Sequence, residues 1–199
     1  MAKKIIIGVT GTFSSGKTSV AEMILAMGAS RKVDADKIGH KLLAERSVIR
    51  RVTDVFGNGV LSGERIDRKK LGKIVFSDKK KLGFLNDIMH PLILGRIKEE
   101  VDSVPRGAVV IDAPLLIETK LDKLADIVVV VLTDDDIAAK RAILKGFTKK
   151  EIDGVRSHQL TLPEKLKAAD FIIDNNGGID KTKEGVNELW KKVQKSLKA

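Results

Sequence analysis

Near its beginning the chain reads Ile5-Ile6-Ile7-Gly8-Val9-Thr10-Gly11-Thr12-Phe13-Ser14-Ser15-Gly16-Lys17-Thr18. The run from Ile5 to Val9 is apolar and mostly β-branched, which is typical of a buried strand. The part from Gly11 to Thr18 fits the phosphate-binding loop pattern of a glycine, four further residues and then Gly-Lys-Thr. From Val20 onward the pattern is helical, so the strand, loop and helix that this motif requires occur in order.

The residue types of this loop indicate what it binds. Gly11 and Gly16 let the backbone bend so that successive N–H groups and a helix N-terminus surround phosphate oxygens. Lys17 places a positive charge on β- and γ-phosphates, and the Thr18 hydroxyl can complete the coordination of Mg²⁺. We therefore predict ATP and Mg²⁺ as ligands; a glycine-rich turn that carries lysine by chance would not need the flanking strand and helix. The predicted nucleotide-binding residues are Gly11, Ser14, Ser15, Gly16, Lys17, Thr18 and Ser19.

The composition limits the classes of function. The 199 residues are 43% hydrophobic, which suffices for one buried core. The absence of cysteine excludes disulfides, thiolate zinc sites and cysteine nucleophiles. The first apolar run is too short for a signal peptide or a membrane span, so we expect a cytoplasmic protein without a membrane partner.

The net charge of +10 favours an anionic partner. With no Tyr and one Trp, the chain has few aromatics for stacking on bases, which argues against a dedicated nucleic-acid role. Phosphorylated small molecules are the partners that we expect instead. The sequence predicts no oligomeric state.

Five short apolar runs alternate with amphipathic segments and predict an α/β fold with a five-stranded parallel sheet between two helical layers. The runs are at 5–9, 32–33, 108–111, 126–132 and 170–173. We predict one domain over residues 1–199, with its core at about 1–34 and 105–199. We predict that the long connection at about 35–104 is a helical insertion that binds an acceptor. We predict that the segment at about 141–160 is a lid.

Helix start signals occur in the insertion and in the lid. Asp67 and Ser77 are predicted N-caps, and the helix that follows Ser77 is expected to reach Met89. His90-Pro91 would then lie between two helices, with the proline in the first turn of the second. Thr148-Lys149-Lys150-Glu151 predicts a capping box.

Three acidic residues follow predicted strands, at the sheet edge where α/β proteins bind ligands. Asp36 is our candidate for the base that accepts the proton of an incoming hydroxyl. Asp34 could serve instead as a helix cap, and two acids allow one of each role. Asp112 ends an apolar strand, where a carboxylate can hold Mg²⁺ directly or through water.

Arg141 is the candidate for neutralising the charge that develops in phosphoryl transfer, because it lies where the lid begins. The alternative is that Arg141 and Arg156 are ordinary solvated helix residues. His90, taken alone, is more often structural than functional in such a position.

The order of motifs resembles the dephospho-coenzyme A kinase family from Ile7 to Gly177. The matching pieces are the phosphate loop, Asp34-Ala35-Asp36, Gly63-Glu64-Arg65-Ile66-Asp67-Arg68, Ile74-Val75-Phe76, His90-Pro91, 112–118, Arg141, Arg156, Gln159, Lys165, Ala169-Asp170 and Ile173-Asp174-Asn175. The resemblance implies phosphorylation of the ribose 3′-hydroxyl of dephospho-coenzyme A by ATP and Mg²⁺, the last step of coenzyme A synthesis.

Roles carried over by position follow from this resemblance. Lys17, Arg141 and Asp36 would be catalytic, and Thr18 and Asp112 would hold the metal. The substrate-binding residues would be Asp36, Arg68, His90 and Asp112.

Two positions depart from the family pattern. Ser15 stands where the phosphate loop often has glycine, so we expect a steric cost there unless its φ is negative. Lys145 stands where a second lid arginine is common, and lysine cannot make the same bidentate contact.

Two other functions stay open at this point. A kinase of a nucleoside or nucleoside monophosphate would show the same ATP half of the site. A phosphate-loop ATPase or switch would hydrolyse ATP without a small acceptor.

Overall fold

The computed structural model describes residues 3–198. The chain forms two compact units, one of Met1–Asp34 with Glu100–Ala199 and the other of Ala35–Glu99. In the described residues, no helix is both long enough and apolar enough to cross a bilayer.

The strands are β1 (Lys4–Gly11), β2 (Arg31–Asp34), β3 (Leu61–Ser62), β4 (Arg65–Ile66), β5 (Gly107–Asp112), β6 (Ile127–Leu132) and β7 (Phe171–Asp174). The helices are α1 (Lys17–Ala26), α2 (Ala35–Leu42), α3 (Arg46–Phe56), α4 (Arg68–Val75), α5 (Lys79–Asp102), α6 (Asp135–Leu144), α7 (Lys149–Arg156), α8 (Leu162–Leu166) and α9 (Ile179–Lys198). Short 3₁₀ turns cover Asn58–Val60 and Leu121–Leu124.

The first unit contains a five-stranded sheet in the order β2-β5-β1-β6-β7. Every neighbouring pair is parallel, which confirms the predicted fold class. Because β1 lies between β5 and β6, the carboxyl ends of these three strands meet at one edge. Such an edge is the usual ligand-binding position in open α/β sheets.

Both faces of this sheet are covered. On one face Ile7 and Val9 pack in a buried cluster with Ile24 of α1 and with Leu189 and Trp190 of α9. On the other face the connection after β5 approaches so closely that a Cβ at Gly8 would lie 2.7 Å from Leu116 Cδ2. Burial of these apolar side chains stabilises the sheet and fixes the edge that carries the phosphate loop.

The second unit is mainly helical, with the small antiparallel hairpin of β3 and β4. Asp67 caps α4, since its carboxylate accepts hydrogen bonds from the backbone N–H groups of Lys69 and Lys70, as predicted. The hairpin was not predicted from the sequence, because each of its strands has only two residues.

The predicted boundaries of α5 are wrong at both ends. Asp78, and not Ser77, accepts hydrogen bonds from the first free N–H groups, those of Lys80 and Lys81. The helix also continues through Pro91 to Asp102 instead of stopping at Met89. The fixed φ of proline is helical, so its main costs are one lost N–H hydrogen bond and local crowding, which the long helix tolerates.

Candidate active site

The phosphate loop connects β1 to α1, and its backbone is left-handed at two positions. Gly16 has a φ of 92° and lies directly before Lys17, the first residue of α1. Ser14 has a φ of 61°. Ser15 is not among the residues with positive φ, so the steric cost that a positive φ would bring does not arise there; Ser14 is the serine with the left-handed backbone.

The carbonyl of Ser15 is fixed from two distant segments. It accepts hydrogen bonds from Thr133 Oγ1 at 2.9 Å and from Asn175 Nδ2 at 2.6 Å. The amide oxygen of Asn175 in turn accepts a hydrogen bond from Thr182 Oγ1 at 2.8 Å. The loop that would receive phosphate is thus held by residues that follow β6 and β7.

Gly16 is required for space as well as for its backbone angle. A Cβ at this position would lie 2.2 Å from Asn175 Nδ2. Any larger residue must displace the amide that supports the loop, and it must also adopt a conformation that costs L-residues roughly 1–2 kcal/mol.

Lys17 and Asp112 form an ion pair at the carboxyl edge of the sheet. Lys17 Nζ lies 3.0 Å from Asp112 Oδ1 and 3.5 Å from Thr18 Oγ1. The Asp112 side chain is only 1% exposed. The structure therefore brings together three of the predicted site residues, from the start of α1 and the end of β5.

Thr18 and Asp112 offer oxygen donors of the kind that Mg²⁺ prefers. Thr18 Oγ1 and Asp112 Oδ1 both lie next to the ammonium group of Lys17. The second carboxylate oxygen, Asp112 Oδ2, is buried without a hydrogen-bond partner in the described chain. Within residues 3–198 no cluster of three or more His, Cys, Asp or Glu suits a metal ion. The residues present therefore fit a Mg²⁺ that takes most of its ligands from bound phosphate and water.

A cavity of about 380 Å³ lies beside the loop. Its lining residues are Ser14, Gly16, Ser19, Met23, Arg141, Leu144, Lys145, Asn175, Ile179 and Thr182. The mixture of apolar side chains and a few polar groups suits a nucleoside. Lys145, the departure from the family pattern, lies at this cavity.

Arg141 reaches the loop from α6. Its Nη2 donates to the carbonyl of Asn175 at 2.9 Å, and Nη1 is buried without a partner in the part of the chain described. A Cβ at Gly16 would lie 3.8 Å from Nη1, which places the guanidinium next to the phosphate loop. Arg141 is therefore not an ordinary solvated residue.

Arg156 is fixed differently. Its Nη2 donates to the backbone carbonyl of Asp135 at 3.0 Å, so it ties α7 to the beginning of α6. The predicted capping box of Thr148 and Glu151 is present at the start of α7. In the preceding loop Phe147 makes an edge-to-face contact with Phe13 of the phosphate loop, with ring centroids 5.1 Å apart.

A buried lysine supports the connection after β5. Lys165 Nζ donates to the carbonyl of Pro114 at 2.9 Å and to Glu118 Oε1 at 2.7 Å, and its side chain is fully buried. Burial lowers the pKa of Lys165, although the hydrogen bond and charge of Glu118 oppose this effect. Glu118 also accepts a hydrogen bond from the N–H of Leu160, so this pair joins two loops near Asp112.

Asp36, Arg68 and His90 belong to the second unit, whereas Asp34 is the last residue of β2 in the first unit. Asp36 lies in the first turn of α2, and Arg68 is the first residue of α4. His90 lies inside α5, where burial lowers its pKa and the charge of Asp87 opposes that shift. Asp34 ends β2 opposite Asp112 in the strand register.

Comparison with known proteins identifies the family. A family model described as dephospho-CoA kinase matches residues 5–181. The dephospho-CoA kinase of Carboxydothermus hydrogenoformans is 36% identical over 193 residues, which cover 94% of this chain and 93% of that protein. The chain belongs to the dephospho-CoA kinase family.

One solved structure that is named a dephospho-CoA kinase agrees with this family, and a second solved structure agrees with the fold. Dephospho-CoA kinase from Campylobacter jejuni superposes with a TM-score of 0.71 at 27% identity, covering 98% of this chain and 99% of that one. TT1252 from Thermus thermophilus gives a TM-score of 0.82 at 25% identity, over 96% of this chain and 98% of that one. The family resemblance inferred from the motifs is confirmed.

In this member of the dephospho-CoA kinase family, the site also includes Asn175 and Thr133. The sequence did not predict that these two residues support the phosphate loop. Each follows the last residue of a parallel strand, β7 or β6, directly. The same rule that selects Asp34 and Asp112 would have selected them if it had been extended from acids to other polar side chains.

Proposed function

We propose that the chain transfers the γ-phosphoryl group of ATP to the ribose 3′-hydroxyl of dephospho-CoA and forms coenzyme A and ADP. Membership in the dephospho-CoA kinase family supports the acceptor. The observation that carries the ATP half is the pairing of Lys17 with Asp112 at the mouth of a phosphate loop, beside a nucleoside-sized cavity.

ATP would be held in two parts. The N–H groups of the loop and of the α1 N-terminus would surround the phosphates, with Lys17 turning from Asp112 to the β- and γ-phosphates. The nucleoside would enter the cavity that Ser19, Asn175 and Arg141 help to line. Arg141 Nη1, buried beside Gly16 and without a partner in the described chain, would supply further positive charge to the phosphates.

Mg²⁺ would be held by Thr18 and Asp112, together with phosphate oxygens and water. When bound, it would neutralise part of the negative charge on the β- and γ-phosphates. This requires Asp112 to be released from Lys17, which occurs if Lys17 moves to the nucleotide.

The transfer itself would form one bond and break one. The 3′-oxygen of the acceptor bonds to the γ-phosphorus, the bond from that phosphorus to the β–γ bridging oxygen breaks, and ADP leaves. The hydroxyl proton passes to the carboxylate of Asp36, our candidate base. Arg68 and His90 would contact the acceptor. A cytoplasmic location and the lack of nucleic-acid and membrane partners stay predictions.

The proposal is tested by measuring ADP release from Mg²⁺-ATP with each of several acceptors: dephospho-CoA, nucleosides and nucleoside monophosphates. Turnover only with dephospho-CoA is the expected result. Turnover with another acceptor would replace the substrate, and turnover with none would indicate an ATPase. Lys17→Met should abolish turnover, whereas the matched control Lys4→Met should not, because Lys4 pairs with Asp102 at the opposite end of β1.

Asp36→Asn separates the roles of a base and of a binding residue. If Asp36 accepts the proton, the variant should lose on the order of a hundredfold or more in kcat while its KM for ATP changes little. Steady-state kinetics with varied ATP measure both constants. Equal losses in turnover and ATP binding would show that Asp36 is not the base.

A further inference from the structure

Asp112 faces two lysines, and the mechanism above uses only one of them. Lys17 Nζ is 3.0 Å from Oδ1, and Lys32 Nζ is 3.9 Å from Oδ2. Lys32 comes from β2, the strand next to β5, and its side chain is only 8% exposed. Its ammonium also donates to Glu22 of α1, at 2.5 Å. Lys32 is therefore held between a surface carboxylate and the buried carboxylate of the site.

The two contacts to Asp112 differ in kind. The Lys17 contact is a hydrogen-bonded ion pair, whereas 3.9 Å is too long for a direct hydrogen bond. Oδ2 has no hydrogen-bond partner in the described chain, and it is buried from solvent. Lys32 thus balances the charge of Asp112 at short range without occupying either oxygen. It leaves both oxygens available for other ligands.

This arrangement matters when nucleotide binds. According to the function proposed above, Lys17 leaves Asp112 for the phosphates. Until a metal ion binds, a carboxylate that is 1% exposed then lacks a direct counter-ion, and water gives little compensation. With no second cation, the cost of leaving that charge unbalanced would hold Lys17 on Asp112 and weaken nucleotide binding.

We propose that Lys32 is a positioning residue that balances the charge of Asp112 while Lys17 turns to the phosphates of the nucleotide. Lys32 then strengthens nucleotide binding through Asp112 and not by touching the nucleotide. The inference rests on the proposed function, because it requires Lys17 to serve the phosphates.

Two simpler explanations predict different results. If the bridge from Lys32 to Glu22 only fastens α1 to β2, losing Lys32 should lower stability and leave nucleotide affinity unchanged. If Lys32 only adds to the positive field of the basic surface, its loss should weaken binding by the same factor whether or not Asp112 carries a charge.

A double-mutant cycle on ADP binding distinguishes these explanations. Calorimetric titration with ADP in EDTA measures affinity without metal, on the wild type, Lys32→Met, Asp112→Asn and the double variant. We expect Lys32→Met to weaken ADP binding on the order of tenfold. In the Asp112→Asn background, where no carboxylate holds Lys17, the same substitution should change affinity by less than about twofold.

Further variants test whether a change in ADP affinity comes from the lost charge of Lys32 and not from poor folding. Lys32→Gln should reproduce the loss if Lys32→Met folds poorly, and Lys32→Arg should restore affinity because it keeps the charge. Lys4→Met removes an equal charge from a partly buried lysine at the far end of β1, and it should leave ADP binding within about twofold of wild type.

Two results would overturn the inference: unchanged ADP affinity in Lys32→Met and Lys32→Gln, or an equal loss in both Asp112 backgrounds. Lys17→Met shows whether the proposed function fails as well. If Lys17→Met loses ADP affinity while the Lys32 variants do not, only the role of Lys32 is wrong. If Lys17→Met binds ADP normally, both proposals are wrong.

Discussion

Substitution of Lys165 by methionine should destabilise the first unit strongly. The ammonium is fully buried and donates to Glu118 and to the carbonyl of Pro114. Methionine has a similar volume but no donor, so Glu118 keeps only the N–H of Leu160 at a side chain that is 15% exposed. The loss is therefore that of a buried ion pair with one partner removed.

Breaking such a pair costs about 3–5 kcal/mol, and the partial exposure of Glu118 argues for the lower end, about 3 kcal/mol. For a chain of this length that corresponds to a fall in melting temperature of roughly 6–12 °C. Replacing both partners, as in Lys165→Met with Glu118→Gln, should recover part of the loss because no buried charge is left alone.

Urea unfolding followed by Trp190 fluorescence is the appropriate assay, because this is the single Trp of the chain and lies buried in α9 of the same unit. Lys183→Met is the matched control. Its pair with Asp180 has side chains that are 56% and 87% exposed, so the loss should stay below about 1 kcal/mol. A loss below about 1 kcal/mol in Lys165→Met would refute the reasoning.

Three further predictions concern the loop and the helical unit. Gly16→Ala should weaken ADP binding at least about tenfold, since its Cβ would displace the amide of Asn175; calorimetry with wild-type affinity would contradict this. Ser14→Gly should raise the free energy of unfolding by up to about 1 kcal/mol in urea, by relieving its left-handed backbone. Burial lowers the pKa of His90, so folding disfavours its protonated form and stability falls as pH drops through about 6.5. His90→Gln should therefore lose less melting temperature than wild type between about pH 7.5 and about pH 5.5, and an equal loss would contradict that assignment.

The sheet could be predicted from the sequence because its strands are continuous apolar runs. All five runs form parallel strands, and their ends shift by at most two residues, as with Ile5 to Val9 within β1. A strand covered on both faces needs no information from distant residues to be recognised.

The helices of the second unit were less predictable. Ser77 and Asp78 are both good N-caps, and local sequence does not decide which of them accepts the N–H groups. Pro91 is a frequent helix terminator, yet α5 continues through it with Ile88, Met89 and Ile97 buried on either side. Tertiary packing outweighs the local signal there.

The candidate site likewise has a part that could be predicted from the sequence and a part that could not. The loop from Gly11 to Thr18 could be predicted because its function is contained in one contiguous segment. The supports from Thr133 and Asn175, and the second lysine at Asp112, could not be predicted in this way. Thr133 and Asn175 directly follow strands that lie far from the loop in sequence, and Lys32 lies within β2, far from Asp112 in sequence. Only the strand order brings these residues to their partners.

The identity of the product tests the proposed phosphorylation of dephospho-CoA most directly. The decisive measurement is mass spectrometry of dephospho-CoA after incubation with the purified protein and Mg²⁺-ATP, with the position of the new phosphate assigned by NMR. We predict a product heavier by one phosphoryl group at the ribose 3′-oxygen, formed by wild type and Lys4→Met but not by Lys17→Met. Unchanged dephospho-CoA alongside released ADP, or a phosphate at another position, would contradict the proposed reaction.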